Sequence, residues 1–113
     1  MQIVERKVGD VIILDIKGQM ILGVGDEMLK DKVKELLDQG ERKILLNLES
    51  MPYIDGAGLG MIVRKRTDVM DAGGSLKLLK LTKRMTDLLA ITKLMTVFDT
   101  YDDERDAVRS YAA

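Results

Sequence analysis

From Lys43 to Leu48 the chain reads KILLNL, with Ile44, Leu45, Leu46 and Leu48 following one another almost without a break. A strand with one wet face alternates apolar and polar residues, so a near-continuous apolar run predicts a strand covered on both faces. This segment therefore reads as the centre of a β-sheet, and the rest of the chain has to supply its neighbours and its cover.

The neighbours are legible on either side. IVERKV and VIILDIKG are β-branched runs joined at Gly9-Asp10, a dipeptide suited to a tight hairpin turn. After GQMILGVG, Asp26 is placed to cap a helix whose apolar positions Leu29, Val33, Leu36 and Leu37 share one face, with Gly40 as its stop. A second helix is expected from Ala57 to about Ala72, with Leu59, Ile62, Val63 and Met70 inward and Ala72-Gly73-Gly74 ending it.

SLKLLKL reads as another buried strand, and TKRMTDLLAITKL as a third helix capped by Thr82 with Met85, Leu88 and Leu89 inward. A short TVFDTY strand and a last helix, DDERDAVRSYA, with Asp102 and Asp103 at its N-terminal dipole, complete the order β-β-α-β-α-β-α-β-α. Strands that alternate with helices after an opening hairpin predict a small single-domain α/β fold over residues 1–113, with a mixed sheet of four to five strands and about four helices. The 113 residues, 46% hydrophobic, suffice for one continuous core.

Charge and missing residue types narrow the function. Lys and Arg number 18 against 19 Asp and Glu, interspersed along the chain, so the basic surface that nucleic acid or an anionic membrane requires is not expected. There is no Cys and no His, which removes thiolate and imidazole metal ligands, disulfides, cysteine nucleophiles and the commonest general base. A non-enzymatic protein without metal or cofactor is the expectation. Charges at Glu5, Arg6, Lys7 and Asp10 interrupt any apolar core of a signal peptide, and no run approaches the ~20 apolar residues of a membrane span, so a cytoplasmic location without membrane insertion is expected.

One stretch, NLESMPYIDGAGLGMIVRKR, carries three glycines in five residues at Gly56, Gly58 and Gly60, a pattern that implies close approach to the backbone. A P-loop would need Lys-Ser/Thr after the glycines, where this chain has Met61-Ile62. A dinucleotide fingerprint would need glycine at the sixth position from Gly56, which is Met61. A calcium loop would need alternating oxygen ligands, and no carboxylate follows Asp55 until Asp68. Asp55 instead reads as the N-cap of the following helix. Gly56 and Gly58 would permit the turn, and Gly60 would let the helix pack closely on the sheet.

MPYIDGAGLGMIV resembles the signature of the STAS domain family of bacterial anti-sigma factor antagonists, in which a hydrophobe and Asp precede Ser-Ser/Ala-Gly-Leu-Gly. The likeness extends to the hairpin, to IKGQM, to GGSLKLLKL and to AITKLMTVFDTYDDERDAV, in family order over nearly the whole chain. It implies a STAS-like fold and a protein-binding role in partner switching. The implied partner is an anti-sigma factor of the histidine-kinase-like ATPase type, which phosphorylates the family's Ser before Gly-Leu-Gly and so places about −1.5 to −2 charges in the interface.

Here Ala57 occupies that switch position and Gly56 precedes it, so neither accepts phosphate. The nearest hydroxyls belong to Ser50, Tyr53 and, well down the helix, Thr67. The resemblance leaves two readings open: an antagonist that docks without being inactivated at Ala57, and a STAS regulatory subunit of a lipid-transport ATP-binding cassette system. In either, the expected partner-binding residues are Asp55, Gly56, Ala57, Gly58, Met61 and Lys65. With the apolar stripe centred on Leu59, Val63, Arg66 and Met70, Met61 falls about 200° away at ~100° per residue and is expected on an exposed ridge with Gly58 and Lys65. Arg66, inside the stripe, is expected to carry its charge outward along its aliphatic stem. The hairpin's outer strand would offer a free sheet edge, which leaves a homodimer open.

Overall fold

The computed structural model describes residues 1–21 and 26–112. The elements are β1 (Gln2–Val8), β2 (Val11–Lys17), α1 (Asp26–Asp38), β3 (Lys43–Asn47), α2 (Gly56–Asp71), β4 (Ser75–Leu79), α3 (Lys83–Ile91), β5 (Thr100–Tyr101) and α4 (Glu104–Arg109). This is the expected order, and the five strands lie side by side as β1-β2-β3-β4-β5 with β3 in the middle. Only the β1–β2 pair is antiparallel; β2–β3, β3–β4 and β4–β5 are parallel, as crossovers through helices dictate. Val8 faces Val11 across the two-residue turn, where Gly9 takes φ +62.

Alternation along the strands sorts the apolar residues between two faces. Ile12, Leu14, Ile16, Ile44, Leu46, Leu76 and Leu78 pack beneath α1, α2 and α3, which bring Leu29, Val33, Leu36, Leu59, Ile62, Val69, Met85 and Leu89. The opposite face is smaller: Val11, Ile13, Leu45 and Leu79 meet Ala107 and Tyr111 of the α4 region. KILLNL is thus covered from both sides, and Ile44, Leu45 and Leu46 have no exposed surface.

Local signals explain most boundaries. Thr82 caps α3 by accepting from the Met85 N–H at 3.3 Å, and Asp103 caps α4 by accepting from the Asp106 N–H at 3.1 Å. After α1, the Gly40 and Glu41 N–H groups donate back to the Leu37 and Leu36 carbonyls at 3.1 and 2.9 Å, the pattern of a glycine-terminated helix. The cap expected of the Asp26 side chain, and the loop before it, lie outside the described residues.

One expectation about the buried face of α2 differs from the structure. Met70, expected inward, is 49% exposed, because the buried arc centres on Ile62 and Val69 rather than on Leu59. Arg66 does stand at the edge of that arc, its guanidinium 5.9 Å from the Phe98 ring centre. The segment read as TVFDTY contributes only Thr100–Tyr101 to the sheet, with Phe98 turned into the core.

Candidate functional site

The glycine stretch forms the connection from β3 into α2, and its backbone is tied down along its length. The Leu48 N–H bonds the Leu79 carbonyl at 2.9 Å, carrying the chain past the end of β4. Gly18 and Met20 then donate to the carbonyls of Ser50 and Tyr53, each at 3.1 Å, and Asp55 donates to that of Met20 at 3.3 Å. Met20, Met51 and Ile54 are buried beneath this lattice, which turns Pro52 and Tyr53 out to solvent. From α3, Arg84 Nε donates to the Ile54 carbonyl at 3.1 Å while its guanidinium stacks 4.8 Å from the Tyr53 ring centre.

At the start of α2, an Asp55 carboxylate oxygen accepts from the Gly58 N–H at 2.8 Å, the N-cap read from the sequence. The glycines divide their roles differently from expectation. A Cβ on Gly58 would lie 2.3 Å from the Met20 carbonyl oxygen, so the close approach occurs at Gly58 and against the chain that follows β2. A Cβ on Gly60 would meet only the tip of Arg64 at 3.4 Å, and one on Gly56 would meet open space. Gly58 shares the buried face with Ile62 and Val69, four and eleven positions on, a spacing that marks it as inward-facing but not what it meets.

Gly56 and Ala57 are exposed, with Asp55 half-buried beside them. Gly58 is buried, and Met61 retains only 7% exposure, which removes the ridge expected from Gly58, Met61 and Lys65. The physical reason is that α2 packs on two surfaces. At ~100° per residue Met61 stands about 80° from Val69, at the edge of the buried arc. It lies on the side where Lys65 and Asp68, one and two turns further on, line a cleft of about 200 Å³ with Val33 and Leu37 of α1. The Lys65 side chain is 13% exposed and paired with Asp68 at 2.6 Å. The outward line of the helix is instead Ala57, Gly60 and Arg64, at i, i+3 and i+7, with Tyr53 beside its start.

The exposed start of α2 carries little side-chain bulk. Its centre is a methyl group and two glycines on a fixed backbone, and the described residues contain no group of three His, Cys, Asp or Glu side chains positioned to hold a metal ion. No helix among the described residues is long and apolar enough to cross a membrane.

The order of elements, the one-sided helices and the capped glycine start of α2 are those of a STAS domain. The STAS domain model matches residues 2–107, and the chain belongs to this family. Among its relatives, the anti-sigma-B factor antagonist of Bacillus subtilis (strain 168) is 36% identical over 72 residues, 64% of this chain and 65% of that one. A Thermotoga maritima protein, described as a candidate anti-sigma factor antagonist, superposes with a TM-score of 0.89 at 26% identity, covering 98% of this chain and 95% of its own. The phosphorylated form of SpoIIAA, a Bacillus cell fate determinant, shares the fold with a TM-score of 0.74 at 17% identity over 96% of this chain and 98% of that one.

Proposed function

We propose that this protein is a non-enzymatic antagonist that docks on an anti-sigma factor of the histidine-kinase-like ATPase type, through Tyr53, Asp55, Gly56, Ala57, Gly60 and Arg64. The observation that carries the reading is the start of α2: Gly56 and Ala57 are held open to solvent by the Asp55 cap and the Gly58 contact, on a backbone fixed from three sides. A rigid surface loses little conformational entropy when a partner covers it. Of the expected contact residues, Gly58 and Met61 support this surface from beneath, and Lys65 flanks it on the α1 side. The likeness to antagonists supports this reading over that of a transport subunit.

Ala57 stands where the family's phosphorylated Ser is expected, as the second residue of α2. With a methyl group there and no side chain at Gly56, the antagonist stays competent for binding while its partner consumes ATP. Ala57→Glu tests the surface: binding to the partner ATPase, measured by calorimetry, is expected to weaken at least about tenfold, because a charge is desolvated at the interface. The thermal midpoint should not change. Unaltered binding would reject the surface. Ala57→Ser tests the switch, since incubation with the partner and ATP should add one phosphate by intact mass. No added phosphate would mean that the partner does not present this position to its active site.

A further inference from the structure

β1 is an edge strand, and its outer side carries no partner among the described residues. In a hairpin with a two-residue turn, the residues flanking the turn exchange both backbone hydrogen bonds. Val8, Arg6 and Val4 therefore aim their N–H and C=O groups at β2, and Lys7, Glu5 and Ile3 aim theirs outward. Such a row is a template for another strand.

We propose that this edge pairs with β1 of a second copy, antiparallel and about a two-fold axis perpendicular to the sheet, with Glu5 opposite Lys7 of the other protomer. The symmetry limits the options. A perpendicular two-fold keeps the same sheet face up in both copies, so residues of like parity stand opposite one another. One such register sets Glu5 against Glu5 and the next but one sets Lys7 against Lys7, each a like-charge pair at the centre. The register between them sets Glu5 against Lys7 twice on one face.

On the other face this register sets Val4 against Val8 twice, and these are the exposed valines of β1, each 38% exposed. Arg6 falls on the axis opposite itself, but its charge is already held by two carboxylates: Asp15 accepts from it at 2.6 and 3.0 Å, and Glu104 at 2.7 and 3.4 Å. Glu5 and Lys7 also have intramolecular partners, Lys32 at 3.3 Å and Glu41 at 3.4 Å. Both ion pairs reach the edge from the α1 side, so joining two copies extends them into an alternating network without breaking either. The product is one continuous sheet of ten strands.

An interface this narrow belongs to the weak class, so the equilibrium should depend on concentration. Sedimentation velocity on the full chain should show the average mass rising from monomer toward dimer as concentration increases. Glu5→Lys and Lys7→Glu each turn two opposite-charge pairs into like-charge pairs and should weaken dimerisation about tenfold. Neither should move the thermal midpoint by more than a few degrees, since both residues are at the surface. Mixing the two single variants restores both pairs between unlike chains, so the mixture should dimerise as the unaltered protein does. A monomer at every concentration, single variants that dimerise normally, or folded variants whose mixture stays monomeric would each overturn the proposal.

Discussion

Leu45 and Leu46 are neighbours in β3, both without exposed surface, and they belong to different worlds. Leu46 points into a layer built by three helices, where every buried side chain among the described residues is apolar. Leu45 points toward α4, a helix of six residues, in a cluster bordered by charge. Lys77 lies 4.6 Å from the Tyr111 ring centre and bonds Ser110, and Arg6, Asp15, Asn47 and Glu104 form a connected polar group beside it. The Tyr111 hydroxyl donates to the Ile44 carbonyl, fastening the end of this thin layer to the central strand. One face holds the fold by area excluded from water, and the other by a small apolar patch with directional bonds around it.

Truncating each leucine in turn should separate the two faces most clearly. Leu46→Ala should cost about 4 kcal/mol in chemical denaturation, since three helices cannot close over the void, and Leu45→Ala nearer 2 kcal/mol, since a short helix can settle. Equal costs would mean that α4 is as rigid as the three-helix layer. Next in size is Gly58→Ala, expected to cost about 2–3 kcal/mol because its Cβ meets the Met20 carbonyl, whereas Gly60→Ala should stabilise by up to about 1 kcal/mol through helix propensity. A similar loss at both glycines would undo the assignment of the close approach.

The smallest effect is on the charged side and appears with pH. The hydrogen bond from Arg6, with support from Asn47, holds the Asp15 carboxyl below its ordinary value. A carboxyl lowered in the folded state stabilises the protein above about pH 4, the unfolded value, and that contribution is lost as pH falls through the folded value. Arg6→Gln should therefore lower the thermal midpoint near neutrality by a few degrees and flatten its decline in acid. An unchanged acid limb would show that Asp15 is not the group that responds.

The fold was readable because its signals are local: a two-residue turn, the two strands KILLNL and SLKLLKL too apolar to be wet, caps at Asp55 and Thr82, and acidic residues at the start of α4. The two-surface packing of α2 was harder to read. Periodicity gives an axis of symmetry for one buried face, and α2 buries two adjoining ones, against the sheet and toward α1. A stripe through Leu59, Val63 and Met70 lies too far round the helix and leaves Met61 outside the buried arc. The position of Gly58 on the Ile62 and Val69 line, and the lack of any large apolar side chain at Ala57, Gly60 and Arg64, mark the exposed side. The contact between Gly58 and Met20 joins segments 38 positions apart and had no local trace.

The strand order has a kinetic consequence. Because each strand pairs with the next one in the chain, no pairing waits for a distant segment to arrive, and each closure spans little more than one helix and its turns. Loop-closure entropy is then met in small instalments, and a low average separation between partners favours rapid folding. The sheet should grow outward from β3 by successive additions, with refolding in milliseconds typical of small mixed α/β domains.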